Sequence, residues 1–191
     1  MGMNVLHRWI CGSARWARRA REQLLPWALA GVELGDDVLE VGPGYGATTA
    51  VLAERVDQLT VLEVDQALAA RLRARLPGTV RVAEGDGAAM PLPDATFTAV
   101  LCFTMLHHMP SPARQDGLFA EAHRVLRPGG VLAGSDSIAT PMFRLLHLAD
   151  TMVPVDPAAL PDRLAAAGFT GIRVDQAAGR SFRFRAEKPA G

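Results

Sequence analysis

The chain has few of the features that mark secreted, membrane-spanning or nucleic-acid-binding proteins. Its 191 residues include two cysteines, which do not make a disulfide framework. No run approaches the roughly 18 apolar residues that a membrane span needs, and no uninterrupted apolar segment near the N-terminus suggests a secretory signal. Only one lysine is present, Lys188, and 20 basic residues balance 20 acidic ones. We therefore expect a cytoplasmic protein whose partner is not a nucleic acid.

The order of apolar segments predicts an α/β fold in one domain, residues 1–191, with a core at residues 36–186. Short β-branched runs alternate with helical segments, as expected for a parallel sheet with crossover helices. Strands are predicted at residues 38–41, 58–64, 79–83, 97–103 and 131–137, and a closing hairpin at residues 172–178 and 182–186. Helices are predicted at residues 48–56, 67–76 and 157–167, and from residue 112 to the Pro-Gly-Gly at 128–130.

Two segments lie outside this alternation. Residues 1–30 are predicted to form a helical lid or extension, an amphipathic helix with three tryptophans on one side and arginines on the other. Residues 139–156 form an insert after the fifth strand, with a short apolar helix around residues 142–152. The N-terminal helix is also a candidate for an oligomer interface.

A glycine-rich loop follows the first predicted strand. Gly42, Gly44 and Gly46 stand between that strand and a helix, where glycine permits positive φ and close approach of the backbone to a ligand. The amides at the start of the helix favour an anion. Alone, the loop fits a dinucleotide as well as other nucleotides. Both types of site also expect an acidic residue about 20 positions further on, where Glu63 stands.

Three features favour a methionine-containing nucleotide over a dinucleotide. Glu40 places a carboxylate in front of the loop, where it would repel a pyrophosphate but attract an ammonium group. Asp86 follows the third strand, where a carboxylate can accept a hydrogen bond from the amino group of adenine. The chain then closes with a hairpin rather than a second βαβαβ half.

Four segments together resemble the class I S-adenosylmethionine-dependent methyltransferases, and among them the small enzymes of the type-11 kind. They are VLEVGPGYGATT, LTVLEVD, VAEGDGAAMPLPDATFTAVLCFTMLHHM and RVLRPGGVL, and the resemblance runs from about residue 36 to residue 186. It implies a Rossmann-like, seven-stranded, mostly parallel sheet of order 3-2-1-4-5-7-6 with helices on both faces. It also implies S-adenosylmethionine as cofactor, with S-adenosylhomocysteine as product.

The resemblance assigns cofactor contacts residue by residue. Glu40 with Gly42 and Gly44 holds the methionine end, and the carbonyl of Phe103 meets the ammonium group. Glu63 accepts hydrogen bonds from the ribose hydroxyls, although some relatives place this carboxylate where Asp65 stands; we favour Glu63. The full predicted set is Glu40, Gly42, Gly44, Gly46, Glu63, Val64, Asp86, Gly87 and Phe103.

The adenine contacts follow from the same resemblance. Val64 and Met90 flank the ring, Asp86 takes its amino group, and the amide of Gly87 meets a ring nitrogen. Each carboxylate also has a structural alternative: Glu63 or Asp65 can cap the next helix, and Asp86 can stabilise a turn.

Three residues are candidates for proton transfer. His107 and His108 follow the fourth strand, and Asp136 ends the fifth, so they share the carboxyl edge of the sheet. Alternatively, one histidine only stabilises the turn before Pro110. We expect no metal site, because nothing else supplies a ligand set beside these three residues.

Apolar side chains surround the predicted acceptor end. The N-terminal tryptophans and six residues of the insert predict a small-molecule or lipid-like acceptor under a helical lid; the six are Met142, Phe143, Leu145, Leu146, Leu148 and Met152. Alternatively, these side chains pack on the sheet, or the first helix lies on a membrane surface. An rRNA or tRNA methyltransferase and an inactive S-adenosylmethionine-binding partner subunit are the competing functions. The Asn-Pro-Pro-Tyr-like tetrapeptide of base methylases is replaced by residues 103–106, Phe-Thr-Met-Leu.

Overall fold

A computed structural model of the chain describes residues 4–148, 150–177 and 179–191. Within these residues, seven strands form one sheet of order β3-β2-β1-β4-β5-β7-β6. The strands are β1 (Asp37–Val41), β2 (Gln58–Glu63), β3 (Val80–Glu84), β4 (Phe97–Phe103), β5 (Leu126–Ser137), β6 (Thr170–Ala177) and β7 (Ser181–Glu187). β1 to β5 pair in parallel, whereas β7 is antiparallel to both of its neighbours. The predicted sheet order and strand directions are confirmed.

Helices cover both faces of this sheet, because each face is apolar and must be buried. The helices are α1 (Val5–Cys11), α2 (Ala14–Arg19), α3 (Leu25–Ala28), α4 (Thr49–Leu52), α5 (Gln66–Arg75), α6 (Pro112–Val125), α7 (Pro141–Leu146) and α8 (Leu160–Ala166). On one face, Leu25, Leu52 and Leu72 of α3, α4 and α5 join a buried apolar cluster. On the other, Phe119 of α6 and Leu164 of α8 join a second cluster.

The start of α6 is as predicted, but its end is not. The Ser111 hydroxyl accepts a hydrogen bond from the amide of Arg114 at 3.2 Å, and Pro112 occupies the first helical position. The helix ends at Val125, and β5 begins at once, five residues before the predicted strand. Gly129, at φ +77°, therefore lies within the strand and does not cap the helix.

The closing hairpin is confirmed. β6 and β7 pair antiparallel, and the amide of Arg180 donates to the carbonyl of Ala177 at 3.0 Å. Residue 178, the last of the predicted sixth strand, lies outside the described residues. The helix before the hairpin is shorter than predicted, and Gly168 follows it at φ +96°.

The prediction of a single N-terminal amphipathic helix is wrong. The helix is interrupted at Gly12 and Ser13. The Ser13 hydroxyl accepts a hydrogen bond from the amide of Trp16 at 3.1 Å and so caps the start of a new helix. Trp9, on α1, leaves 72% of its surface exposed, so the tryptophans do not share one packed side. α2 continues through a π-helical turn, Ala20–Leu24, into α3. Residues 1–3 lie outside the description.

Two more predicted helices are shorter in the structure. Residues 48–56 form only the four-residue α4, flanked by turns in which Glu54 and Arg55 donate to the third residue back. The insert helix α7 ends at residue 146 rather than 152, and residue 149 and the side chain of residue 146 are outside the description. Within the described residues, no helix combines the length and apolar character needed to cross a bilayer.

Candidate functional site

The carboxyl ends of the parallel strands bring three connections to one edge of the sheet. The glycine-rich loop follows β1, a turn containing residues 104–110 follows β4, and the insert follows β5. In open α/β sheets this edge is where ligands bind. The connections after β1, β4 and β5 are neighbours because these strands are adjacent.

The three glycines of the loop adopt backbone conformations that other residues avoid. Gly42, Gly44 and Gly46 have φ values of +69°, +55° and +79°. A Cβ added at Gly46 would lie 2.8 Å from Leu72, whereas one at Gly44 would have no atom within 4 Å. Gly44 thus leaves open space above the backbone, into which a ligand can come close.

Glu63 faces this loop from the end of β2. Its Oε2 accepts from the amide of Gly44 and its Oε1 from the amide of Asp65, both at 3.0 Å. The side chain is 5% exposed, and burial raises the pKa of the carboxyl above its ordinary value. Asp65 instead caps α5, accepting from the amides of Ala67 and Leu68 at 2.9 and 3.0 Å. The division of roles supports Glu63 over Asp65 as the ribose ligand, which remains a prediction.

Glu40 lies fully buried beneath the loop. Burial raises the pKa of its carboxyl to about 7, against hydrogen bonds that favour the charged form. These bonds come from the hydroxyls of Thr48 and Thr49 at the start of α4, the second at 2.5 Å from Oε2. The negative charge of Glu63 adds to the rise. A cationic group arriving here would stabilise the ionised pair.

Asp86 lies after β3, half-exposed. Its Oδ2 pairs with the guanidinium of Arg114, and its Oδ1 accepts from the amide of Ala88 at 2.8 Å. Asp86 therefore stabilises the turn after β3, which is the structural role that the sequence also allows, and it pairs with an arginine of α6. Its contact with adenine stays a prediction.

The remaining predicted contacts lie on both sides of the loop. Val64 leaves 50% of its surface exposed, whereas Met90 lies in the core with 5% exposed. Gly87 is tightly enclosed, since an added Cβ would lie 3.1 Å from both Leu118 and Val41. Phe103 ends β4, beside the strand that leads into the loop.

On the other side of the site, the structure brings His107 and Asp136 into direct contact. Nδ1 of His107 lies 2.5 Å from Oδ1 of Asp136, and Oδ2 accepts from the backbone amide of His107 at 3.0 Å. Both side chains are almost wholly buried. The carboxylate holds the ring in one orientation and favours a proton on Nδ1, so the lone pair is on Nε2.

A third histidine, not predicted from the sequence, joins this pair. His147 comes from the insert, and its ring centroid lies 5.0 Å from that of His107 and 5.5 Å from that of His108. His107 and His108 are themselves 4.1 Å apart. A lone histidine in an apolar segment gave no signal, because its position depends on the path of the insert.

The insert is attached to the turn after β4. The amide of Val153 donates to the carbonyl of His107 at 2.8 Å. The side chain of Gln115, fully buried on α6, donates to the carbonyls of Leu106 and Val153 at 3.0 and 2.9 Å. One amide group thus holds both the histidine turn and the end of the insert.

The outer side of the insert is apolar and exposed. Met142, Leu145 and Leu148 leave 74%, 59% and 63% of their surfaces exposed, while Phe143 packs edge-on against His107 at 5.0 Å. Large exposed apolar side chains that cluster beside a site mark a surface for apolar ligands or partners.

Comparison with known proteins agrees with this geometry. Residues 39–134 match the methyltransferase domain family, about half of the chain. A probable S-adenosylmethionine-dependent methyltransferase of Mycolicibacterium smegmatis is 33% identical over 81% of this chain and 59% of its own length. A probable ribosomal RNA small subunit methyltransferase A of Pyrobaculum aerophilum is 34% identical over 64% and 58%, and a demethylmenaquinone methyltransferase of Tropheryma whipplei 30% over 76% and 62%.

The chain thus spans about three fifths of the length of these relatives. An S-adenosylmethionine-dependent methyltransferase of Thermotoga maritima has the same fold, with a TM-score of 0.73 at 20% identity over 97% of this chain and 99% of its own. The family match, the sheet order and the loop geometry agree. This chain belongs to the methyltransferase domain family, within the class I S-adenosylmethionine-dependent methyltransferases.

Proposed function

We propose that this chain transfers a methyl group from S-adenosylmethionine to a small-molecule or lipid-like acceptor. The observation that carries the proposal is the pair of buried carboxylates, Glu40 and Glu63, below an open loop at Gly44. An apolar insert stands at the same edge of the sheet and supplies a surface for the acceptor.

The carboxylates suit the two ends of the cofactor. The oxygens of Glu63 accept backbone hydrogen bonds from Gly44 and Asp65, and a carboxylate has about four lone-pair sites, so ribose hydroxyls can bind as well. Glu40 supplies negative charge below the loop, which attracts the ammonium group of the methionine end. The two roles account for two acidic residues buried so close together.

The chemistry needs positioning more than proton transfer. When bound, S-adenosylmethionine supplies an electrophilic methyl group on a sulfonium, and displacement disperses its charge. The chain's part is to orient the acceptor and exclude water. Where an acceptor must lose a proton, His107, held by Asp136, could take it at Nε2 only after the insert that covers this atom has moved.

The acceptor class is inferred from the insert. Exposed apolar side chains of the insert, Met142, Leu145 and Leu148, favour an apolar acceptor, and a demethylmenaquinone methyltransferase is among the relatives. Formal net charge is +0, which disfavours RNA. The ribosomal RNA relative makes RNA the competing outcome.

Labelled-methyl transfer into fractionated pools tests the proposal. The purified chain is incubated with methyl-labelled S-adenosylmethionine and separate small-molecule, lipid and RNA extracts, with the Glu63→Ala variant as a control for cofactor-dependent labelling. Label in the small-molecule or lipid fraction supports the proposal. Label in RNA alone would select the RNA methyltransferase, and cofactor binding without transfer would favour a partner subunit.

A further inference from the structure

We propose that His107, His108 and His147 bind one divalent transition-metal ion of the zinc class. The three side chains meet from two connections, the turn after β4 and the insert after β5. Neither connection carries Glu40 or Glu63, which lie on β1 and β2. The inference concerns these imidazoles alone and does not depend on methyl transfer.

The distances fit a site that closes around an ion. One ring nitrogen from each histidine lies within 4.8 Å of the other two. Tetrahedral zinc with Zn–N bonds of about 2.0–2.1 Å sets its nitrogen ligands about 3.3 Å apart. Small rotations of the imidazole side chains, which move each nitrogen by about 1 Å or less, would bring the three nitrogens to that separation.

The outer contacts of two histidines already have the arrangement found around bound zinc. Asp136 accepts from Nδ1 of His107 at 2.5 Å, and the carbonyl of Phe143 lies 2.8 Å from Nδ1 of His147. In both rings this contact favours the tautomer with the lone pair on Nε2. Histidines that bind metals almost always donate their other nitrogen to a carboxylate or a backbone carbonyl.

A buried nitrogen in the cluster calls for a partner. Nε2 of His107 is shielded from solvent and has no hydrogen-bond partner among the described residues. The rings of Phe143 and His147 pack over His107, each with its centroid 5.0 Å away. A base at this position would not reach an acceptor without displacement of the insert, whereas a metal ion between the rings gives the lone pair a partner.

The donor set selects the class of ion. Neutral imidazoles suit zinc, copper, iron and nickel, while magnesium and calcium prefer oxygen ligands. Three protein ligands leave a fourth position of a tetrahedral ion for water. The sequence predicts no metal site because only His107, His108 and Asp136 are expected to meet there. The structure adds His147 as a further ligand.

Titration calorimetry with ZnCl2 tests the site on tag-free, chelator-stripped protein. We expect one ion per chain, with an affinity that His147→Ala lowers by more than about 100-fold, since loss of an outer partner alone costs about 10- to 100-fold. His123→Ala is the matched control, because His123 packs against Phe169 on another part of the fold. It should bind zinc as the wild type does. Absence of binding, or unchanged affinity in folded His147→Ala, would overturn the proposal.

A spectrum of the unmodified chain gives a second test that needs no variant. CoCl2 in place of zinc should give the intense visible absorption of tetrahedral cobalt, and MgCl2 in excess should not displace it. The weak absorption of octahedral cobalt would contradict the proposed site. S-adenosylmethionine affinity is measured in parallel with chelator present. Failure to bind S-adenosylmethionine would contradict only the proposed function. Failure to bind cobalt would contradict only the metal site.

Discussion

Oε2 of Glu63 accepts a hydrogen bond from the amide of Gly44 at 3.0 Å, so the end of β2 and the glycine-rich loop after β1 share one carboxylate. Glu63 is fixed by this bond and by the amide of Asp65, and its orientation is set before any ligand arrives. Such preorganisation reduces the entropy lost on binding. The contact makes Glu63 the most direct test of the cofactor site.

Replacement of Glu63 by alanine should weaken S-adenosylmethionine binding by about 1.5–3 kcal/mol, because it removes hydrogen bonds to a charged group. Isothermal titration calorimetry at pH 7.5 measures the change. The loss should be in affinity rather than in the number of sites.

Asp65→Ala is the matched control for that change. It removes the cap of α5 and should lower the free energy of unfolding by about 0.5–2 kcal/mol while leaving cofactor affinity unchanged. Unchanged affinity in Glu63→Ala with a strong loss in Asp65→Ala would move the ribose contact two residues along the chain.

Replacement of Glu40 by glutamine should stabilise the ligand-free chain at high pH. The pKa of Glu40 is about 7 in the folded chain and 4.5 without perturbation, so the folded state keeps a proton that the unfolded state releases. The free energy of unfolding therefore falls as pH rises from 4.5 to 7, by up to about 3 kcal/mol. The glutamine variant lacks this loss. Urea unfolding at pH 5 and pH 8, followed by tryptophan fluorescence, measures the difference.

Glu33→Gln, at an exposed position, is the control and should match the wild type at both pH values. A Glu40→Gln variant that is equally destabilised at pH 5 and pH 8 would contradict a raised pKa of the Glu40 carboxyl. The prediction applies without ligand, because a bound cationic group would favour the charged form.

Alanine at Gly44 and at Gly46 should separate binding from stability. Each substitution places alanine in a left-handed backbone conformation, which costs about 1–2 kcal/mol. Gly46→Ala also brings a Cβ within 2.8 Å of Leu72, which adds about 1–3 kcal/mol. Gly44→Ala meets no protein atom, so its larger effect should be on cofactor affinity. Thermal unfolding and calorimetry on both variants check this order, and a Gly44→Ala variant with normal affinity would place the ligand elsewhere.

Serine at Met142 or Leu145 should raise KM for an apolar acceptor about 10-fold while kcat changes little, because burial of each side chain on binding contributes about 1–3 kcal/mol. Both side chains are exposed, so stability should stay within about 0.5 kcal/mol of the wild type. The acceptor identified by methyl labelling is the substrate, and Arg144→Ala on the same helix is the control. Equal KM values in the serine variants would remove α7 from the acceptor surface.

Much of the fold follows from local sequence. Residues 97–103 are β4 as predicted, since an almost wholly apolar run suits a central strand, and Ser111-Pro112 set the start of α6. The resemblance supplied the sheet order. Side-chain alternation puts Glu63 and Asp65 on the same face; in the structure Asp65 caps α5 and Glu63 accepts from Gly44, while the choice of ribose ligand stays a prediction.

What was missed depends on contacts distant in sequence. His147 meets His107 through the path of the insert, which no periodicity describes. The tryptophan spacing predicts one continuous N-terminal helix, because it carries no signal for the helix cap that Ser13 forms. β5 starts early because Leu126 pairs with Phe97 across an irregular register, a pairing that the Pro-Gly-Gly signal concealed.

The two ends of the insert are anchored independently of what lies between them. At one end the amide of Ile138 donates to the carbonyl of Arg180 at 2.9 Å, and at the other Gln115 and the amide of Val153 hold the chain against the histidine turn. A segment with both ends fixed can be exchanged without disturbing the glycine-rich loop. Residues 139–152 are therefore a graft point: a segment transplanted from a relative with a known acceptor should redirect selectivity while cofactor affinity is retained.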